Sequence, residues 1–329
     1  MSSRGTIGRL ALRAGARIAV AALAPAVAIA GPTGEQVVSG SAAVTREGPL
    51  TRIDTGTPQT VINWSGGFDI GAHEIVQINQ PSPISNTLNY DLSTDPSRID
   101  GQLLSNGGVW IINPVGVFFG DRAVVDVGRL VAGAGKVDAA EFLAGAQHFS
   151  ELTGSVEVAS GAQIRAADSV LLVGAAVANY GHVAAADGMV ALVAGGEVRL
   201  ARVDGNVMVT ADRALAPDPE RWGVVQAGTV DAGKGSVSLT AGDAYSLAIN
   251  HTGITRAREI EIAGGAGSGV AVAGTLDASD RSAGATGGQI TVTGERVALL
   301  GAQLDASGDA GGGKIRVGGD LHGGGDLAT

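Results

Sequence analysis

The sequence predicts an all-β chain wound as a right-handed parallel β-helix with a non-repetitive N-terminal cap. Three observations lead there. Glycine is abundant at 53 of 329 residues, while 45% of the chain is hydrophobic and only 3% aromatic. Short runs of alternating Val, Ile, Leu and Ala are bounded by Gly, Asp, Ser or Thr, the pattern of half-buried strands between tight corners. One Gly-led unit then returns along the chain, the mark of stacked repeats. Glycine without a Gly-X-Y period argues against collagen, and apolar alternation between the glycines argues against disorder. Parallel crossover connections are almost always right-handed, which sets the expected hand.

The first thirty residues differ from the rest. Arg4, Arg9, Arg13 and Arg17 form a basic start with no acid, and Ile18 to Ala30 is an apolar run broken only by Pro25. Ala28-Ile29-Ala30 places small residues where a signal peptidase reads them, so residues 1–30 are expected to be a cleaved secretory signal and Gly31 the mature N-terminus. Thirteen apolar residues are too few to span a bilayer as a helix. Without residues 1–30 the chain keeps 18 basic against 32 acidic side chains, a net −14. Such a charge disfavours nucleic acid and anionic membranes as partners. Cysteine is absent, so a secreted chain of this kind relies on backbone pairing and burial instead of disulfides.

From about residue 155 the repeats are explicit. Gly161-Ala162-Gln163-Ile164-Arg165-Ala166 returns as Gly301-Ala302-Gln303-Leu304-Asp305-Ala306, and Gly228-Thr229-Val230-Asp231-Ala232 as Gly274-Thr275-Leu276-Asp277-Ala278. The following strands match as well: Met189–Ala194 with Ser236–Ala241, and Gly288–Val292 with Gly313–Val317. Leu276 and Leu304 are 28 residues apart, Ile290 and Ile315 25. Spacings of roughly 20–28 residues suit a solenoid coil. A sandwich repeats its strands faster, and a propeller blade needs roughly 40 residues. Val190, Leu192, Val237, Leu239, Ile290, Val292, Ile315 and Val317 are expected to face inward, where stacked coils share one core. Asp231, Asp277 and Asp305 then form a carboxylate ladder.

Residues 31–150 are less regular. Val37–Val44 reads as an opening strand, followed by Thr60–Trp64, Glu74–Pro81 and Val109–Ile112, the last ending in the turn Asn113-Pro114-Val115-Gly116. Asp138-Ala139-Ala140-Glu141 looks like a capping box opening a short helix through about Gln147. An open solenoid end exposes strand edges and core, so a cap is expected there. The chain thus divides into residues 1–30, a capping domain at 31–150, and β-helical coils at 151–329.

Chemistry is sparse. His73, His148, His182, His251 and His322 form no His-x-His or His-x-x-x-His pair, and they read as isolated surface or turn residues; no metal or cofactor is expected. Gly264–Gly269 and Gly311-Gly312-Gly313-Lys314 lack the Gly-Lys-Ser/Thr ending and following helix of a phosphate loop. Trp64 and Trp110 sit in strand patterns and read as core; with Trp222 they are the aromatic groups able to stack on sugar.

Several segments, in order, resemble a known family. They are Asn63-Trp64-Ser65-Gly66-Gly67-Phe68-Asp69-Ile70-Gly71, Val76-Gln77-Ile78-Asn79-Gln80-Pro81, the run from Asp100 to Gly120, and Val125–Ala132. Together they resemble the two-partner-secretion domain of filamentous haemagglutinins, high-molecular-weight adhesins, secreted haemolysins and contact-dependent inhibition proteins. The family's Asn-Pro-Asn-Gly turn stands here as Asn113, Pro114, Val115 and Gly116. Asn accepts a left-handed conformation that Val resists, so a different turn is expected. A second family motif, Asn-Pro-Asn-Leu, is absent.

The resemblance implies a secreted or surface adhesin-type exoprotein of a Gram-negative bacterium, non-enzymatic and exported via the periplasm. Its partner would be a dedicated outer-membrane β-barrel transporter with periplasmic recognition domains, and Asn113–Gly116 would serve recognition or folding. Host or bacterial surface receptors or glycans are further expected partners. Two other functions fit a β-helix: a secreted polysaccharide-active enzyme, or a structural matrix protein. A groove lined by several carboxylates with Arg or Lys across neighbouring coils would separate the enzyme from the rest.

Overall fold

In the computed structural model, the described residues are 31–203, 206–212, 222–242, 247–265 and 267–318. The expected signal segment and His322 lie outside them. The chain winds as a parallel β-helix with three faces per coil. The first face stacks Leu50–Thr55, Ile75–Asn79, Gln102–Ser105, the first half of Val124–Gly133, the first half of Gln163–Gly174, His182–Ala185, Thr229–Asp231, Ile254–Arg256, Thr275–Asp277 and Gln303–Asp305. The second stacks Gln59–Trp64, Asn86–Asp91, Gly108–Ile112, the second halves of those two long strands, Met189–Ala194, Ser236–Ala241, Glu259–Gly264, Gln289–Thr293 and Lys314–Val317. The third is an eight-stranded sheet running from Ser97–Ile99 to Arg296–Leu299. Gly116–Phe119 pairs directly with Ser155–Val158, so the ladders continue without interruption on either side of residue 150.

The copied units stack as the sequence predicts. Leu276 sits on Leu304, Ile290 on Ile315, and Met189–Ala194 lies in register with Ser236–Ala241. Val190, Leu192, Val237, Leu239, Ile290 and Val292 are buried in one apolar column system. Ile315 and Val317 hold the same register but are 47% and 41% exposed, because no described strand covers them. The corner glycines have a steric cause. A Cβ on Gly228, Gly253 or Gly274 would lie 2.1, 2.1 or 2.0 Å from the carbonyl oxygen of the equivalent glycine one coil below. Only Gly lets backbones stack that closely.

The cap departs from the expected single opening strand. At Gly40, φ reaches 78°, and the segment becomes two strands, Glu35–Ser39 and Ala42–Glu47. They run antiparallel over Gln59–Trp64 and Leu50–Thr55, closing the end of the first coil. The expected helix begins where predicted: Asp138 accepts bonds from the Ala140 and Glu141 amides. It covers only Ala139–Leu143, ending before Gly145 at φ 82°, and Gln147 already opens a strand. Glu141 does not complete a capping box; its carboxylate bonds His148 Nδ1 at 2.7 Å instead.

The sequence did not reveal a second core outside the solenoid. Two excursions leave the second face and contribute Gln147–Phe149, Glu197–Val203 and Asn206–Asp212 to a small antiparallel sheet. Trp110 points outward from the second face, stacks on Phe149 at 5.7 Å and meets Phe142 edge-on at 5.1 Å. Leu88, Ile112, Val131, Leu171, Val173 and Val193 join them beneath this cover. The expected core role of Trp110 is therefore met on the outer side of the wall. Trp64 points into the axis and is fully buried.

Candidate functional site

The turn Asn113–Gly116 joins the second face to the third. Pro114 has no amide hydrogen, so the strand Gly108–Ile112 cannot continue through it. The Gly116 amide donates to the Asn113 carbonyl at 3.1 Å, and the Val115 amide to Asn113 Oδ1 at 2.9 Å. Positive φ falls on Gly116 (147°), and Val115 is not among the positive-φ residues. Val at the third place thus fits because the following Gly carries the unusual conformation. A Cβ at Gly116 would also press on the Ser155 carbonyl at 2.9 Å.

Asn113 turns its side chain inward and is fully buried. Its Nδ2 donates to the Asp95 carbonyl at 2.9 Å and to Ser97 Oγ at 3.1 Å. Ser97 Oγ in turn donates to Asp91 Oδ2 at 2.5 Å. Asp91 is 1% exposed, yet its carboxylate also accepts the Phe68 amide and the Ser93 amide, both at 2.8 Å. These donors replace the water that burial removes from the carboxylate oxygens. Two residues earlier on the same strand, Asn89 accepts from Trp64 Nε1 at 3.2 Å and donates to the Trp110 carbonyl at 3.2 Å. A polar chain therefore runs across successive coils, from the Trp64–Phe68 segment to the turn, inside the solenoid.

Pro114 is half-buried and Val115 is 43% exposed, so these two present the turn to solvent. At the same corner Asp69 accepts the Arg98 amide at 2.7 Å. Burial pushes the Asp69 carboxyl above its ordinary range, against the lowering effect of that bond, and the negative Asp91 and Asp95 add to the rise.

The four expected residues form one turn, but sequence reasoning missed its foundation in Asp91, Ser97 and Asn89. In Asn86-Thr87-Leu88-Asn89-Tyr90-Asp91 the apolar alternation suggests Leu88 inside. The register puts Thr87, Asn89 and Asp91 inward and Leu88 under the outer cover.

Two further expectations need correcting. The carboxylate ladder is interrupted, since Arg256 stacks between Asp231 and Asp277 and pairs with Asp277 at 3.7 Å. At its far end Arg281 lies 3.5 Å from Asp305. The histidines are not all superficial. His251 is fully buried on the axis, its Nε2 2.9 Å from Thr255 Oγ1 and its Nδ1 without a partner. Burial lowers its pKa to about 4. His148 is held between Glu141 and Glu197 at 2.7 and 2.8 Å.

With this geometry in hand, comparison with known proteins is direct. The family described as the TPS secretion domain matches residues 28–281. A heme/hemopexin-binding protein of Haemophilus influenzae is 30% identical over 210 residues, which is 60% of this chain and 23% of that protein. A second heme/hemopexin-binding protein of Haemophilus influenzae is 34% identical over 80 residues, covering 24% of this chain and 8% of its own length. The crystal structure of the HMW1 secretion domain from Haemophilus influenzae superposes with a TM-score of 0.79 at 27% identity, over 90% of this chain and 79% of that one. The match thus spans about a quarter of the first curated relative's length. A β-helix with this turn, matched by the family over most of its described coils, has one assignment: the chain belongs to the family of two-partner-secretion (TPS) secretion domains, the export-directing parts of secreted exoproteins.

Proposed function

We propose that this chain is the N-terminal part of an adhesin-type exoprotein, and that residues 31–150 engage the periplasmic domains of an outer-membrane β-barrel transporter. Residues 1–30 serve as the signal peptide, and N-terminal sequencing of secreted material should begin at Gly31. The chain binds and presents; it does not catalyse. The observation that carries the reading is the division of labour within one turn: Asn113 is buried and bonded inward, while Val115 stands in solvent. On this reading Asn113 encodes folding of the first coils, and the Pro114–Val115 ridge is the part a transporter can touch. Coils 151–329 extend the stalk that carries the exoprotein's receptor-binding parts on the cell surface.

Two variants separate the roles. Asn113→Ala removes the bonds to Asp95 and Ser97 and should cost about 1–3 kcal/mol, read as a lower urea midpoint. Val115→Asp should leave the midpoint unchanged and reduce secretion through the cognate transporter. Normal secretion of the Val115 variant would remove recognition from this turn, and an unchanged melt for the Asn113 variant would remove the folding role.

A further inference from the structure

The corners between the first and second faces change length along the solenoid. Only residues 257–258 separate Ile254–Arg256 from Glu259–Gly264, but residues 278–288 separate Thr275–Asp277 from Gln289–Thr293. The next corner, residues 306–313, is long as well, and the two long corners pair through Asp280 with Gly308 and Thr286 with Gly311. Short corners followed by long ones make a step in the wall. The concave side of that step is a notch lined by Gly233, Lys234, Arg258, Ala278, Ser279 and Asp280.

The notch has mixed chemistry on fixed supports. The Lys234 amide is held by Asp187 Oδ1 at 2.7 Å, which sets the start of its side chain. Arg258 Nη1 lies 3.8 Å from Asp280 Oδ2, close enough for attraction and too far for a hydrogen bond. Asp280 Oδ1 accepts the Ser282 amide at 3.0 Å. Hydrogen bonding from the Ser282 side chain first, then from its amide, with the charges of Lys234 and Arg258, keeps the carboxyl below its ordinary range. Ser279 Oγ donates its proton to Asp277 at 2.7 Å, leaving its lone pairs to accept.

We propose that this notch binds an acidic saccharide, one carrying a carboxylate beside free hydroxyls, as a uronic acid does. Lys234 and Arg258 hold the sugar carboxylate, with the forked guanidinium suited to two parallel bonds. Asp280 accepts from sugar hydroxyls, and Ser279 accepts from another. The same Asp280 repels a bare anion that brings no donor, so the mixture of signs selects for the sugar acid. The chain's net charge is −10, which makes two converging cations a local exception to its field. The notch presents a single carboxylate, whereas glycoside hydrolysis takes a pair flanking the bond, so the assignment is binding and not hydrolysis.

The test uses the purified chain with three probes at constant ionic strength: trigalacturonate, neutral galactotriose and sodium sulfate. Amide resonances of Lys234, Arg258 and Ser279 should shift saturably with trigalacturonate and remain still with galactotriose. The double variant Lys234→Gln/Arg258→Gln should weaken binding by about tenfold or more, while Arg258→Lys alone retains charge and part of the affinity. Asp280→Asn should weaken the uronate and strengthen sulfate. An unchanged urea midpoint in each variant shows that the coil is intact. Absence of localised shifts, an equal response to sulfate and trigalacturonate, or unaltered affinity in the double variant would overturn the proposal. None of these readouts involves secretion, so they stand apart from the export reading.

Discussion

The inward columns of the early and late coils contrast sharply. On the second face, positions stacked through residues 60–113 include Thr60, Thr87, Asn89, Asp91 and Asn113, all buried. The equivalent columns between Met189 and Thr293 contain Val190, Val237, Ile260 and Ile290, then Leu192, Leu239, Ile262 and Val292. On this face apolar columns reward any stacking that places aliphatic on aliphatic; the late coils carry their polar register on the third face instead, where buried Asn179 Nδ2 donates to Gln226 Oε1 at 2.7 Å. The polar interior rewards one arrangement only. Asp91 has its three donors and Asn113 its two acceptors only when each coil lies in its own register. On the second face, therefore, register is specified by polar partners in the early coils and by shape alone in the late ones.

Three substitutions break or sharpen this contrast. Leu239→Asp should have the largest effect, since it places an unpaired charge in the fully apolar column; a loss of about 3–5 kcal/mol is expected from urea unfolding. A melt within error of the parent would refute the inward register of the late coils. Asp91→Ala should follow, at about 2–4 kcal/mol, because it leaves the Phe68 and Ser93 amides and the Ser97 hydroxyl proton without an acceptor. Its signature should be regional, with amide exchange rising in residues 59–120 before residues 224–293. Uniform exchange along both regions would mean that Asp91 specifies nothing local.

The smallest effect is the acid response of His251. Its pKa is about 4 in the fold against 6.5 for the free side chain. The unfolded chain therefore takes up the proton first as pH falls. Stability from this residue is complete above pH ~6.5 and declines down to pH ~4, by at most about 3 kcal/mol. The urea midpoint of His251→Gln should fall less steeply than the parent's between pH 6.5 and 5. Parallel pH profiles would show that the buried imidazole carries none of the acid sensitivity.

The late coils were legible in the sequence because the repeat is self-consistent: Leu276 over Leu304 and Ile290 over Ile315 are read from copies of one unit. The Asn113–Gly116 turn was legible for a different reason, since Pro and Gly restrict backbone geometry locally. Legibility failed where a strand is covered on both sides. Between Asn86 and Asp91 both faces are buried, so alternation no longer indicates which face is inner. It failed again at Gln147–Phe149 and Glu197–Val203, whose pairing joins segments from separate excursions and leaves no periodic trace. Arg256 broke the carboxylate ladder because outward positions are free to vary without disturbing the core.

That small antiparallel sheet has a mechanical consequence. Among the described residues, the strands that follow Met189–Ala194 on the second face pair only with those directly above and below, so tension applied from the late coils would peel them away one at a time. The strand Gln147–Phe149 leaves the coil of Val124–Gly133, while Glu197–Val203 leaves that of Met189–Ala194, with the coil of Gln163–Gly174 between them. Pairing of the two strands splints three coils together, and His148, bridging Glu141 and Glu197, pins the splint. Under force the solenoid should unravel in small even steps down to this splint, halt there, and then give way in a single longer extension.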